Sequence, residues 1–298
     1  MTRKIIQSNR LTCLLLAALL CCMQAVYADS KASKQRGLLW EISKPGMVPG
    51  YLFGTIHSAD PEVLRLSGIV QQALDDASRV VLEVLMDRDS MIYTSTAMLL
   101  TDGRLLSAIL GEDLFAQTAA AMQARDIPEV VLERIKPWAV AITLAMPPTV
   151  TGQVLDLTLY QFAEENSKPV YGLETIHEQL DVFEGLSLND QVALLQDAVE
   201  QFHGIDALHA DLLAAYKRRD LAALVALNES AMKTGDQRLA RDFQQRLILD
   251  RNRRMAERMQ EHLEAGGAFI AVGALHLPGE QGLLELLEQQ GYSVRVVY

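Results

Sequence analysis

The chain has 298 residues, half of them hydrophobic, and a formal charge of −11. That length supports one sizeable apolar core, and the acidity makes nucleic acid and anionic lipid surfaces poor partners. All three cysteines, Cys13, Cys21 and Cys22, lie near the N-terminus.

Residues 1–28 have the layout of a secretory signal peptide: basic Arg3, Lys4 and Arg10, an apolar stretch over 11–26, and small-residue cleavage at Val26-Tyr27-Ala28. The apolar stretch is short for a spanning helix. A lipoprotein is the weaker reading, because Leu20 or Cys21, rather than a small residue, precedes the cysteine to be modified. Cleavage after Ala28 leaves 270 residues, moves the charge to −14 and removes every thiol. Disulfides, cysteine-ligated metal sites and a cysteine nucleophile are thereby excluded. No later stretch is long and apolar enough to cross a bilayer, so an exported protein, periplasmic or secreted, is expected, with no integral membrane segment after cleavage.

In chain order, residues 38–42 and 51–56 read as strands joined by the turn-rich Lys44-Pro45-Gly46-Met47-Val48-Pro49-Gly50. Asp60-Pro61 opens a helix, with Val63, Leu66, Ile69, Val70, Ala73 and Leu74 at helical spacing. Residues 80–85 are apolar on both faces, as in a central strand, apart from Glu83. A helical block from 91 to 146 is broken at Thr101-Asp102-Gly103, Ile127-Pro128 and Lys136-Pro137 and stops at Pro147-Pro148. A helix over 155–165 leads into a short strand at 169–174. A second helical block over 178–264 is interrupted near Lys233-Thr234-Gly235-Asp236 and ends at Gly266-Gly267. The strand from Phe269, a helix over 282–290 and a strand over 292–297 close the chain. The expected fold is α/β: one domain over 29–298, a central mixed sheet built from both ends of the chain, with large helical insertions at about 90–165 and 178–264.

The chemistry-bearing pattern is an echo. Gly54-Thr55-Ile56-His57 and Gly273-Ala274-Leu275-His276 each end a strand-like run, more than 200 residues apart. A glycine at a strand end lets another backbone or a ligand approach closely, and ligands in α/β sheets gather beyond strand ends. Glu83, inside a buried run, needs a metal, an arginine or a raised pKa. Two histidines and a glutamate on adjacent strand ends can hold a divalent metal, so His57, Glu83 and His276 are the candidate ligands.

Glu174, after a third strand, either completes this set as a catalytic carboxylate or opposes the dipole of the helix that follows. Arg251 falls on the stripe Phe243, Leu247, Arg251, Met255, where a guanidinium must find a carboxylate, steady a transition state or reach solvent beside Arg253 and Arg254. Asn252 adjoins that seam and is a candidate substrate contact. His177, His203, His209 and His262 carry no usable pattern, and solvent exposure is expected for them.

Gly54-Thr55-Ile56-His57, Val81-Leu82-Glu83, Gly172-Leu173-Glu174-Thr175, Asp250-Arg251-Asn252 and the closing Gly273-Ala274-Leu275-His276-Leu277-Pro278-Gly279 resemble the TraB/GumN family, which includes the Tiki proteins. The likeness runs in order through essentially all of the mature chain. It implies a fold shared with the erythromycin esterase-like and ChaN-like proteins. From the Tiki branch it implies a metal-dependent peptidase using His57, His276 and Glu83, supported by Glu174 and Arg251. Other members are linked to pheromone shutdown, polysaccharide production or haem binding, and fold does not fix chemistry.

The leading expectation is therefore an exported hydrolase of peptide or amide bonds. Its Mn²⁺, Co²⁺, Zn²⁺ or Fe²⁺ would be held by two imidazoles and a carboxylate, with a peptide or small molecule as substrate. Two alternatives use the same residues: metal-free hydrolysis by a histidine–glutamate pair, or non-enzymatic binding of haem, metal or peptide.

Overall fold

A computed structural model of the chain describes residues 34–147, 153–233 and 235–298. The expected leader, Pro148 and Thr234 lie outside these residues.

The strands are β1 (Leu39–Ser43), β2 (Gly50–Thr55), β3 (Arg79–Val84), β4 (Val170–Glu174), β5 (Ala268–Gly273) and β6 (Ser293–Val296). They form one mixed sheet in the order β4-β3-β5-β2-β1-β6. β4, β3, β5 and β2 run parallel, whereas β1 lies antiparallel to both β2 and β6. β5, from near the end of the chain, inserts between β2 and β3 from near its beginning. The sheet is thus built from both ends of the chain, as the sequence predicts.

β5 is buried along Ala268, Phe269, Ile270, Ala271 and Val272, in keeping with a central parallel strand covered on both faces. The Leu155–Glu165 helix packs on β3 and β4, and the Arg251–Glu264 helix on β4 and β5. Leu155, Leu159 and Ala163 of the first, and Met255, Met259 and Leu263 of the second, join the sheet's core. Burying each of the Leu and Met side chains contributes roughly 1.5–3 kcal/mol. His262 shares that buried face, so the expected exposure is corrected. Its ring lies 5.0 Å from that of Tyr171, and burial lowers its pKa.

The helical insertions share a second core, around Leu106, Met122, Leu132, Trp138, Leu144, Leu180 and Leu195. Trp138 stacks on Phe183 and donates from Nε1 to Glu184 Oε1 at 2.8 Å.

Two helical expectations change in detail. The helix opening at Asp60 is two helices, Pro61–Leu64 and Gly68–Asp76, because Ser67 caps a new start by accepting from the Val70 N–H. Preceding Arg251 is a π-helical segment, Gln245–Asp250, whose wider turn interrupts the four-residue spacing predicted for that stripe.

Candidate active site

The carboxyl ends of the four parallel strands share one edge of the sheet. Thr55 of β2 pairs with Gly273 of β5, Leu82 of β3 with Ala271 of β5, and Val84 of β3 with Glu174 of β4. Along this edge Glu174 ends β4, Glu83 is the penultimate residue of β3, β5 runs through a 3₁₀ turn, Ala274–His276, and β2 ends two residues before His57. The sequence predicts that this edge carries the chemistry.

The paired glycines make the close packing possible. A Cβ on Gly54 would lie 3.2 Å from Ala274 Cα and 2.8 Å from Leu277 Cδ1, so only glycine lets β2 meet the turn that carries His276. A Cβ on Gly273 would lie 3.3 Å from Glu83 Oε1 and 3.5 Å from the His276 ring. The Gly273 N–H instead donates to Glu83 Oε1 at 2.5 Å.

Arg251 links the carboxylates. Its Nη2 donates to Glu83 Oε2 at 2.6 Å, its Nε to Glu174 Oε2 at 2.7 Å and its Nη1 to the Leu247 carbonyl at 3.3 Å. The residue is only 4% exposed and Glu174 3%, burial that an ionised pair tolerates only when its hydrogen bonds are filled. Arg254 donates to the other Glu174 oxygen through Nε, at 3.0 Å, and Nη2. Glu174 is therefore committed to two guanidiniums. The helix after it is capped by Thr175 and Glu178 in a reciprocal capping box, so the capping role falls to Glu178.

His276 is buried, with Nδ1 2.6 Å from Asn252 Oδ1. Asn252 Nδ2 donates to the Gln281 carbonyl at 2.8 Å, which turns Oδ1 towards the ring. Nδ1 must then carry the proton, leaving a lone pair on Nε2. Nε2 lies 3.4 Å from Arg251 Nη1 and 3.6 Å from Glu83 Oε1.

Burial opposes ionisation of Glu83, but His276, Arg251 and the Gly273 N–H outweigh it and bring the carboxyl down to about 2. Arg251, permanently charged, and the Gly273 N–H lower it whatever the protonation state of His276. Burial lowers the pKa of His276, Glu83 opposes that shift, and Arg251 reinforces it. Burial and Arg251 thus favour the neutral ring.

His57 takes a different position. Its side chain is 59% exposed and its Nδ1 lies 3.6 Å from Asp156 Oδ2. Asp156, in the first turn of the Leu155–Glu165 helix, accepts from Thr55 Oγ1 at 2.9 Å. Burial raises its pKa, His57 lowers it and Glu83 raises it further. Glu83, Glu174, Arg251, His276 and Asn252 thus form one contact network, while His57 stands at the adjoining strand end facing Asp156.

Asp156 and Arg254 are additional to the residues singled out from sequence. Arg254 follows Arg251 by three residues, on the same helix face, a spacing that carries this signal. Nothing in the sequence around Asp156 distinguishes it from an ordinary helix-start carboxylate.

The family is legible from the whole chain. The TraB/PrgY/gumN family profile matches residues 38–296. This chain belongs to that family. Curated relatives include "Metalloprotease TIKI2" of Danio rerio, 26% identical over 86% of this chain and 60% of its own length. Others are "Metalloprotease TIKI1" of Xenopus tropicalis, at 24% over 89% and 62%, and "Metalloprotease TIKI1" of Homo sapiens, at 23% over 88% and 62%. The chain thus spans about three fifths of the length of these relatives. No solved structure matches it at a significant level.

Proposed function

We propose that this family member is an exported metal-dependent hydrolase of peptide or amide bonds, with its centre at the carboxyl ends of β4, β3, β5 and β2. The carrying observation is the convergence of Glu83, Glu174, Arg251 and His276, from two strands, a helix and the 3₁₀ turn after a third strand, onto one buried network. The relatives' metalloprotease names point to the same reaction class, and the leader-like pattern of residues 1–28 supports export.

The donor chemistry fits a divalent ion such as Mn²⁺, Co²⁺, Zn²⁺ or Fe²⁺. His276 Nε2 bears a lone pair and faces Glu83 Oε1, and Asp156 Oδ2, beside His57, is a buried carboxylate oxygen without a hydrogen-bond partner. Among the described residues no three His, Cys, Asp or Glu side chains are already gathered as a ligand group. We assign His276, Glu83 and the exposed His57 as the residues that would hold the ion. A bound ion would polarise the scissile carbonyl and lower the pKa of a water.

The chain's own groups then divide as follows. Glu83, at about 2, suits holding positive charge better than accepting a proton. Arg251 fixes Glu83 and directs positive charge towards the place where negative charge would develop. Glu174 has no free oxygen and serves as the anchor of Arg251. Asn252, only 1% exposed, acts through His276 rather than on the substrate.

Incubating the mature protein with a peptide library in the presence of each of the four ions, with products read by mass spectrometry, tests the assignment. Defined cleavage that disappears in Glu83→Gln supports it; intact peptides under all four ions reject it. Metal-free hydrolysis by the His276–Glu83 pair is the second reading. It is favoured by the approach of Arg251 Nη1 to His276 Nε2, and cleavage that survives EDTA would select it.

A further inference from the structure

The two histidines of the Gly-x-x-His echo face the same kind of atom. His276 Nδ1 is 2.6 Å from the side-chain oxygen of Asn252. His57 Nδ1 is 3.6 Å from a side-chain oxygen of Asp156. Each partner is held independently of its histidine. Asn252 is anchored on the Gln281 carbonyl. Asp156 is anchored by Thr55 Oγ1, which donates to Oδ1 from the last residue of β2.

That anchoring leaves Asp156 Oδ2 buried, aimed at His57 and without a hydrogen-bond partner. Buried carboxylate oxygens rarely stay unpaired. The separation of 3.6 Å exceeds a hydrogen bond, but the exposed His57 ring is free to turn and close it. Asp156 itself is fixed by its helix and by Thr55, so the movement belongs to the histidine.

We propose that Asp156 is the positioning residue of His57. Its Oδ2 accepts the Nδ1–H, fixing the neutral ring in the tautomer whose Nε2 lone pair is turned into the site, as Asn252 does for His276. Both histidines then present the same nitrogen, one backed by an amide and the other by a carboxylate. Carboxylate backing raises the basicity of an imidazole and fixes its orientation. What Nε2 does next, ligating an ion or taking a proton, rests on the function proposed above. The tautomer does not.

Histidine-¹⁵N spectra of the mature protein at alkaline pH test this directly. The expected result is the Nδ1–H form for both His57 and His276 in the wild type. In Asp156→Ala, His57 should move to the Nε2–H-rich mixture of a free imidazole while His276 stays unchanged. Titration with Mn²⁺ should show affinity about 10–100-fold weaker in Asp156→Ala.

A wild-type His57 in the Nε2–H form overturns the proposal, even if Asp156→Ala does not fold. So does a His57 signal identical in the wild type and Asp156→Ala. A protein that cleaves no peptide but shows this tautomer shift refutes the hydrolase reading and upholds the positioning role.

Discussion

Arg251 Nη2 lies 2.6 Å from Glu83 Oε2, joining residues 168 positions apart in sequence. Its Nε is bonded at the same time to Glu174, so one guanidinium bridges two carboxylates at neighbouring strand ends. Arg251 thus ties β3 to β4 and reaches His276 after β5, at the place where the chemistry is proposed, so stability and function share this residue.

Arg251→Met should be severely destabilising, because it leaves Glu83 unpaired and Glu174 with Arg254 alone. The expected loss is about 3–5 kcal/mol, as for a broken buried ion pair. Arg251→Lys keeps a charge but not the planar fork and should fall between. Urea denaturation checks both; a loss below about 1 kcal/mol for Arg251→Met would contradict the ion-pair account.

Acid should remove part of this stability in a defined window. The Glu83 carboxyl titrates at about 2 in the folded protein against 4.5 ordinarily, so the unfolded chain binds the extra proton. The contribution of Glu83 is fully present above about 4.5 and is lost as pH falls towards 2. The stability gap between wild type and Glu83→Gln should therefore narrow over that range. His276, lowered by burial from 6.5, adds a decline of the same sign that begins at higher pH. Urea midpoints measured against pH for both proteins check this.

Asn252→Leu should weaken metal binding more than it weakens the fold. It removes the acceptor for His276 Nδ1–H, so the Nε2 lone pair is no longer enforced. Loss of such a backing partner typically lowers metal affinity about 10–100-fold. Calorimetric titration with Mn²⁺ alongside a thermal melt separates the two effects.

Gly273→Ala should impair the site while sparing the backbone. Gly273 has φ −55, which any residue adopts, but its new Cβ would press on Glu83 Oε1 from 3.3 Å. The carboxylate, held by Arg251 and the Gly273 N–H, has little room to yield. Turnover should fall at least about tenfold, equivalent to about 1.4 kcal/mol in the barrier, with a smaller change in urea stability. Gly54→Ala should destabilise more, because its Cβ meets the Ala274 backbone.

Much of this arrangement is legible in the sequence. The six strands show as short apolar runs at both ends and the middle of the chain. Glu83 stands out because a carboxylate inside a buried strand demands a partner, and the two glycines mark close approaches. What the sequence conceals is three-dimensional. The π-helical turn before Arg251 leaves no periodicity to read. Asp156 resembles an ordinary acidic residue in a helix's first turn until Thr55 and His57 are placed beside it. His57 and His276 look equivalent in their motifs, yet one is exposed and the other buried. The 3₁₀ turn after β5 carries His276 inward; His57 follows β2 without one.

The central claim is that both imidazoles serve one hydrolytic centre. It is tested most directly by metal content and peptide turnover measured together on wild type, His57→Ala and His276→Ala, each stripped and then reloaded. The account predicts that stripped wild type is inactive and that reloading restores ion and turnover together. Neither variant should recover either, although both should keep the wild-type circular dichroism spectrum. Full turnover by either variant in its stripped form would contradict it.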